Sequence, residues 1–266
     1  MLKDKVIIVT GGGGGIGEGI AHVCIDNGAK VVIGERNDES GQRVAKELGE
    51  NALAIACDVS NDEDLDRLIE FTVASFGRID GVVNNAGVNF SKPFMDTSSD
   101  DWQDVISVDL RAVFFLTQKT CAQMVRQSPA GGSIVNISSV HSVAALPGAG
   151  PYDAAKAGVV GMSKSIAIEM AADNIRVNCV SPGLVNTQIW QDLLAAAPDM
   201  DECMAFWNSN IPMNRVIETR EIGEAVCFLL SDKSSAMTGS NMMVDAGMTS
   251  QLVSREPFES SSIEGS

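Results

Sequence analysis

Val6-Ile7-Ile8-Val9-Thr10-Gly11-Gly12-Gly13-Gly14-Gly15-Ile16-Gly17 is the stretch that decides the fold. Its first five residues are apolar or β-branched, as in a parallel strand buried on both faces. The run then breaks into glycines. A helical pattern follows through Ile20, Ala21, Val23, Cys24 and Ile25 to Asn27-Gly28, where Gly28 reads as a helix stop. Strand, glycine loop and helix together form the context in which a glycine motif signals a dinucleotide site. Glycines let the backbone approach a pyrophosphate, and the helix N-terminus offers it free N–H groups. The alternative, a flexible linker, is rarely held between a buried strand and an amphipathic helix.

A second strand, Lys30-Val31-Val32-Ile33-Gly34, ends at Glu35-Arg36. An acid at that position binds adenosine ribose hydroxyls and repels a 2′-phosphate, which favours NAD over NADP. Arg36 is the residue that could meet a 2′-phosphate instead, and a solvated surface arginine is the plainer reading of it. The glycine loop contains no lysine or arginine to help.

Further along stand Ser139, Tyr152 and Lys156. Tyr152 and Lys156 are four residues apart, so their side chains share one helix face. An ammonium beside a phenol favours the phenolate, which equips a tyrosine for proton transfer near neutral pH. Ser139 closes the apolar run that begins at Gly132. Its hydroxyl can reach the same pocket and hold an alcohol or carbonyl oxygen.

Thr10-Gly11-x-x-x-Gly15-Ile16-Gly17, Asn84-Asn85-Ala86-Gly87, Ser139, Tyr152, Lys156 and Ser181-Pro182-Gly183 with Thr187 occur in that order. In this set the chain resembles the short-chain dehydrogenase/reductase family, in its compact single-domain branch, from about Lys5 to about Thr249. The resemblance implies a role for each motif. Gly11, Gly15, Ile16 and Gly17 would line the pyrophosphate loop, and Glu35 would hold the adenosine ribose. Asp58 and Val59 would meet the adenine. Asn85, Ala86 and Gly87 would pack beside the cofactor. Ser139 would orient the substrate oxygen and Tyr152 would be the acid/base. Lys156 would bind the nicotinamide ribose and tune Tyr152. Pro182, Gly183, Val185 and Thr187 would fix the nicotinamide amide.

One departure from the family pattern is Asp109, where the family usually has an asparagine that props a helix kink and holds a water on a proton relay to the lysine. Asp109 can accept a hydrogen bond but lacks the amide donors, and it could pair with Lys156. A smaller departure is Asp153, where serine is common.

The 266 residues are 45% hydrophobic, enough for one α/β domain with a good core. The strand–helix alternation predicts a doubly wound, Rossmann-like parallel sheet flanked by helices, in a single domain over residues 1–250 with a polar, mobile tail over 251–266. Helices are expected at about Asn61–Ser75, Asp100–Arg126, Pro151–Ala172 and Thr219–Leu230. The net charge of −16 argues against nucleic acid and anionic membranes as partners. No apolar run is long enough to span a bilayer. Met1–Lys5 runs directly into the first strand, which leaves no room for a signal peptide. Six cysteines without a Cys-x-x-Cys pair read as buried thiols of a reducing cytoplasm. His22 and His141 are too few and too far apart for a metal site, and His22 reads as structural. The long apolar helices Val105–Met124 and Ala154–Met170 match those that form a four-helix dimer interface in family members, so a homotetramer is implied. Ordinary core packing is the other reading.

Substrate choice is expected in the loops Val88–Phe94, Val140–Gly150 and Leu184–Met213. Asn89, His141, Asn186 and Trp190 are the candidate substrate residues, with Trp207 and Phe206 as a lid or stacking wall. Ser138-Ser139-Val140-His141 and Asp245–Thr249 resemble bacterial glucose 1-dehydrogenases of this family. Ser139-x-His141 is also similar to 3-hydroxybutyrate dehydrogenases, although Ala149-Gly150-Pro151 stand where those place a lysine. A third relative, the acyl-carrier-protein ketoreductase, uses NADPH and needs a basic docking surface, which suits neither Glu35 nor the charge. The expectation is an NAD-dependent dehydrogenase acting on a small-molecule sugar or polyol. A non-catalytic dinucleotide-binding sensor is the reading from another class, with Asp109 its one hint.

Overall fold

The run Val6–Thr10 forms strand β1 and is buried along its whole length. Period-two alternation sends Ile7 and Val9 into one hydrophobic cluster and Ile8 into another. Both faces of the strand are therefore covered, as a parallel sheet requires. The computed structural model describes residues 1–252. The tail Ser254–Ser266 lies outside the described residues.

The chain alternates as expected. Helix α1 (Gly15–Asp26), β2 (Lys30–Glu35), α2 (Asp38–Leu48), β3 (Ala52–Ala56), α3 (Asp62–Phe76) and β4 (Gly81–Asn84) make the first half. Then come α4 (Ser99–Ile106), α5 (Ala112–Arg126), β5 (Gly132–Ile137), α6 (Gly150–Met170) and β6 (Ile175–Pro182). The last part holds β7 (Val185–Asn186), α7 (Gln188–Ala196), α8 (Met200–Ser209), β8 (Ile217–Glu218), α9 (Thr219–Leu230) and β9 (Asn241–Val244). Seven strands form one parallel sheet in the order β3-β2-β1-β4-β5-β6-β9, and β7 pairs with β8 apart from it. The direction of winding reverses between β1 and β4, and the crevice beyond their carboxyl ends is where such sheets bind ligands.

Side chains start the helices. Asn61 Oδ1 accepts the Glu63 N–H at 2.9 Å to open α3, and Gly77 closes it in the left-handed conformation. Ser98 and Asp101 cap each other reciprocally at the start of α4. Helices α1 and α9 pack on one sheet face, and the buried sulfurs of Cys24 and Cys227 meet between them at 3.6 Å. Burial pushes the Cys57 thiol up to about 12 and the Cys179 thiol up to about 11, so both stay protonated.

The expected continuous helix Asp100–Arg126 is two helices. A wide π-type turn over Ser107–Arg111 separates α4 from α5 and carries Asp109 into the interior. The cause is polar: Asp109 Oδ1 accepts the Val88 N–H at 2.7 Å, which a regular helix facing its apolar stripe inward would not offer.

Candidate active site

Thr10, at the end of β1, joins the two strands of the switch point. Its hydroxyl donates to Val83 O at 3.3 Å and accepts the N–H groups of Asn85 and Ala86, both at 3.1 Å. Asn85 Nδ2 donates back to Thr10 O at 2.9 Å and Gly11 O at 3.1 Å. This clamp sets the start of the glycine loop, where Gly11 has φ +65°. Gly17 is enforced by contact: a Cβ there would lie 2.1 Å from Gly11 O. The loop thus packs backbone on backbone at Gly11 and Gly17, braced by Asn85, at the N-terminus of α1, and it fits a dinucleotide pyrophosphate. Ile16 packs against the core on the α1 side, and Thr187 Cγ2 sits over Gly15, 3.6 Å from where a Cβ would be. Pro182 and Val185 are buried beside it, and Gly183 passes so close to Asp245 that a Cβ would lie 2.9 Å from the Asp245 Cα.

At the adenosine end, the Glu35 carboxylate accepts the Gly13 N–H at 3.2 Å and the Asn37 N–H at 3.0 Å. Arg36 is exposed. Asp58 Oδ1 accepts from the Ser60 hydroxyl at 2.7 Å, and Val59 is buried. Arg43, which sequence reasoning passed over, donates to Gly13 O at 3.1 Å and pairs with Glu18 and Glu47. His22 joins these two acids, their ligand atoms all within 4.8 Å of one another, and the guanidinium already bridges the carboxylates.

The candidate catalytic residues stand just beyond the end of β5 and on α6. Ser138 donates to Lys156 O at 2.9 Å, tying the helix to the strand end. Lys156 is buried, with Nζ 3.4 Å from Ile137 O, 3.4 Å from Asp109 Oδ2 and 5.3 Å from the Tyr152 ring centroid. Ser139 is buried at the lip of the same strand, and Tyr152 is half-buried. Gly87 leaves room for the charged pair, since a Cβ there would stand 3.2 Å from Asp109 and 3.5 Å from Lys156 Nζ. Burial pushes the Asp109 carboxyl above the ordinary carboxylate range, while Lys156 and the Val88 N–H pull it down. Behind the site runs a buried polar ladder. Asn84 Nδ2 donates to Asn136 Oδ1 at 2.7 Å, and Asn136 Nδ2 donates to Ser163 Oγ at 2.8 Å.

Among the candidate substrate residues, His141 stands next to the tyrosine. The two rings meet edge to face with centroids 5.2 Å apart. His141 Nδ1 lies 2.5 Å from Asp153 Oδ1, a partner that sequence reasoning noted only as a departure from serine. Asn89 is exposed and accepts from the neighbouring Phe90 N–H. Asn186 donates to Glu218 at 3.2 Å and lines the groove of Gly13–Gly15, so it lies with the cofactor loop. Trp190 is buried edge to face against Trp207, where it fixes α7 to α8, and Phe206 extends the stack into solvent.

Residues 12–249 match a family model described as enoyl-(acyl carrier protein) reductase. A 3-oxoacyl-acyl-carrier-protein reductase of Chlamydia muridarum is 36% identical, over 93% of this chain and 98% of that protein. An NADP-dependent (R)-specific alcohol dehydrogenase of Lentilactobacillus kefiri is 37% identical, over 94% of this chain and 98% of its own. An L-fucose dehydrogenase of Oryctolagus cuniculus is 36% identical, over 91% and 84%. A crystal structure from Sinorhizobium meliloti 1021, assigned provisionally as a short-chain alcohol dehydrogenase, superposes with a TM-score of 0.88 at 30% identity, covering 94% of this chain and 98% of that one.

Proposed function

This chain belongs to the short-chain dehydrogenase/reductase family and is an oxidoreductase, and we propose that it is an NAD-dependent dehydrogenase acting on a sugar or polyol. The observation that carries the reading is the placing of Ser139, Tyr152 and Lys156 together at the strand ends that also carry the glycine cradle. Nicotinamide, when bound, supplies the hydride acceptor. Tyr152 takes the proton of the substrate hydroxyl, and the ammonium of Lys156 favours the phenolate that does so. Ser139 donates to the substrate oxygen as it becomes a carbonyl. Asp109 holds Lys156 from behind, and Gly11, Gly15 and Gly17 admit the pyrophosphate.

NAD is favoured by Glu35, whose carboxylate lies on the loop at Gly13. It is further favoured because Arg43 is already engaged by Glu18 and Glu47. The sugar reading draws support from His141 beside Tyr152 and from the L-fucose dehydrogenase relative. The proposed assembly is a cytoplasmic homotetramer. Exposed Phe114 on α5 and Ile168 on α6 support it, as do the free, mostly buried cysteines.

A second reading, reduction of a 3-oxoacyl thioester, is favoured by exposed Val143, Leu146, Ile189 and Leu193 on two of the substrate loops. One assay separates the two. Purified protein is offered aldoses and polyols with NAD, and a 3-oxoacyl thioester with NADPH, and nicotinamide absorbance is followed. Sugar oxidation with NAD is the expected result. Turnover confined to the thioester would replace the first reading with the second.

A further inference from the structure

We propose, on the polyol reading given above, that Asp153 and His141 form a specificity dyad, in which Asp153 fixes the imidazole tautomer and His141 Nε2 accepts a hydrogen bond from a second substrate hydroxyl, on the carbon next to the one oxidised. The favoured substrate is then a vicinal diol.

The tautomer follows from the partner. A carboxylate only accepts, so the hydrogen between Asp153 Oδ1 and His141 Nδ1 belongs to the imidazole. A neutral imidazole protonated at Nδ1 carries its lone pair on Nε2. That nitrogen makes no hydrogen bond to any described residue, and it is not sealed from solvent. In that neutral tautomer it is an acceptor with no donor among the described residues.

The location follows from rigid elements. Asp153 is the residue after Tyr152 in the first turn of α6, and its N–H is bound to Ala149 O at 2.9 Å. The His141 N–H donates to Ser139 Oγ at 3.2 Å, and the Ser142 hydroxyl pins the same turn to Ser139 O at 2.8 Å. The imidazole therefore borders the space between Ser139 and Tyr152 where the reacting oxygen must sit. It is one substituent further out. With Asp153 ionised and the imidazole neutral, as the proposal takes them, the pair carries one negative charge, which opposes a substrate carboxylate but not a hydroxyl.

The experiment compares 2,3-butanediol with 2-butanol under NAD, in the wild type and in Asp153→Ala, Asp153→Asn and His141→Phe. NADH binding by fluorescence shows which variants hold their fold. The wild type is expected to prefer the diol about tenfold in kcat/KM, the scale of one well-made hydrogen bond. Asp153→Ala is expected to erase most of that preference through the diol KM. Asp153→Asn still accepts from Nδ1 and is expected to recover it. His141→Phe keeps a ring against Tyr152 without a nitrogen and is expected to lose it. An equal fall for both alcohols in Asp153→Ala, a wild type with no diol preference, or an Asn variant as damaged as the Ala variant would overturn the dyad. Oxidation of aldoses or polyols but of neither of these alcohols overturns the dyad, and oxidation of none of them with NAD overturns the polyol reading itself. Equal oxidation of both sinks the dyad alone.

Discussion

Asp109 Oδ2 lies 3.4 Å from Lys156 Nζ, buried, and makes no hydrogen bond. Its second oxygen is taken by the Val88 N–H. The lysine behind Tyr152 thus faces a carboxylate rather than an amide. In its anionic form that carboxylate makes the local potential more negative, which opposes the phenolate at Tyr152.

Asp109→Asn is therefore expected to move the acid limb of the pH–rate profile to lower pH. Stability has its own sign. Burial raises the Asp109 carboxyl, so the folded protein binds this proton more tightly than the unfolded chain does. Its contribution is fully present below the unfolded value of about 3.9 and is lost as pH rises through the folded value. The stability of the wild type relative to Asp109→Asn should fall over that window and level off above it. Urea melts at a series of pH values check this, and a difference that is flat with pH would contradict it.

Gly17→Ala places a methyl 2.1 Å from Gly11 O, a collision that only backbone movement relieves. Overpacking of this kind costs about 1–3 kcal/mol. The loop moves at the pyrophosphate site, so the dissociation constant for NADH is expected to rise by about tenfold or more. Fluorescence titration reads it.

Glu35→Ala removes the carboxylate that holds the Gly13 N–H and that, on the proposed reading, repels a 2′-phosphate, and it leaves the exposed Arg36 next in the chain. The ratio of kcat/KM for NAD over NADP should fall by about tenfold or more. An unchanged ratio would mean that cofactor choice is made elsewhere.

Asn136→Ala breaks the ladder that joins β4, β5 and α6: Asn84 Nδ2 loses its Asn136 acceptor and keeps Thr117 Oγ1 at 3.1 Å, and Ser163 Oγ loses the Asn136 donor and still donates to Val159 O at 2.7 Å. One N–H of the buried Asn84 amide is then unpaired, at a cost of about 1–3 kcal/mol. The denaturation midpoint should fall accordingly with the m-value unchanged.

Much of this architecture was legible in the chain because local chemistry wrote it. Val6–Gly17 specifies strand, loop and helix by composition and glycine placement alone, and Tyr152 and Lys156 declare a shared helix face by spacing. The wide turn at Ser107–Arg111 is not legible from periodicity, and only the family resemblance at Asp109 points to a kink there. A helix widened over one turn keeps nearly the same apolar period, and the only trace is a buried acid within an apolar stripe. The His141–Asp153 contact spans twelve residues across a loop, beyond any local pattern. Its signal was an acid directly after the tyrosine. Asn186, a polar loop residue read from the sequence as a substrate candidate, stands beside the glycine loop, where the short β7–β8 ladder holds it.

The central claim is that Tyr152 carries the proton in a nicotinamide-dependent oxidation. Tyr152 is the only tyrosine in the chain, so Tyr152→Phe removes the sole phenol and nothing else. The decisive measurement is the turnover of that variant with NAD and the best sugar or polyol, alongside its affinity for NADH. The account predicts a loss of about 10²- to 10⁴-fold in kcat with NADH binding retained. Near-normal turnover with binding intact would contradict it.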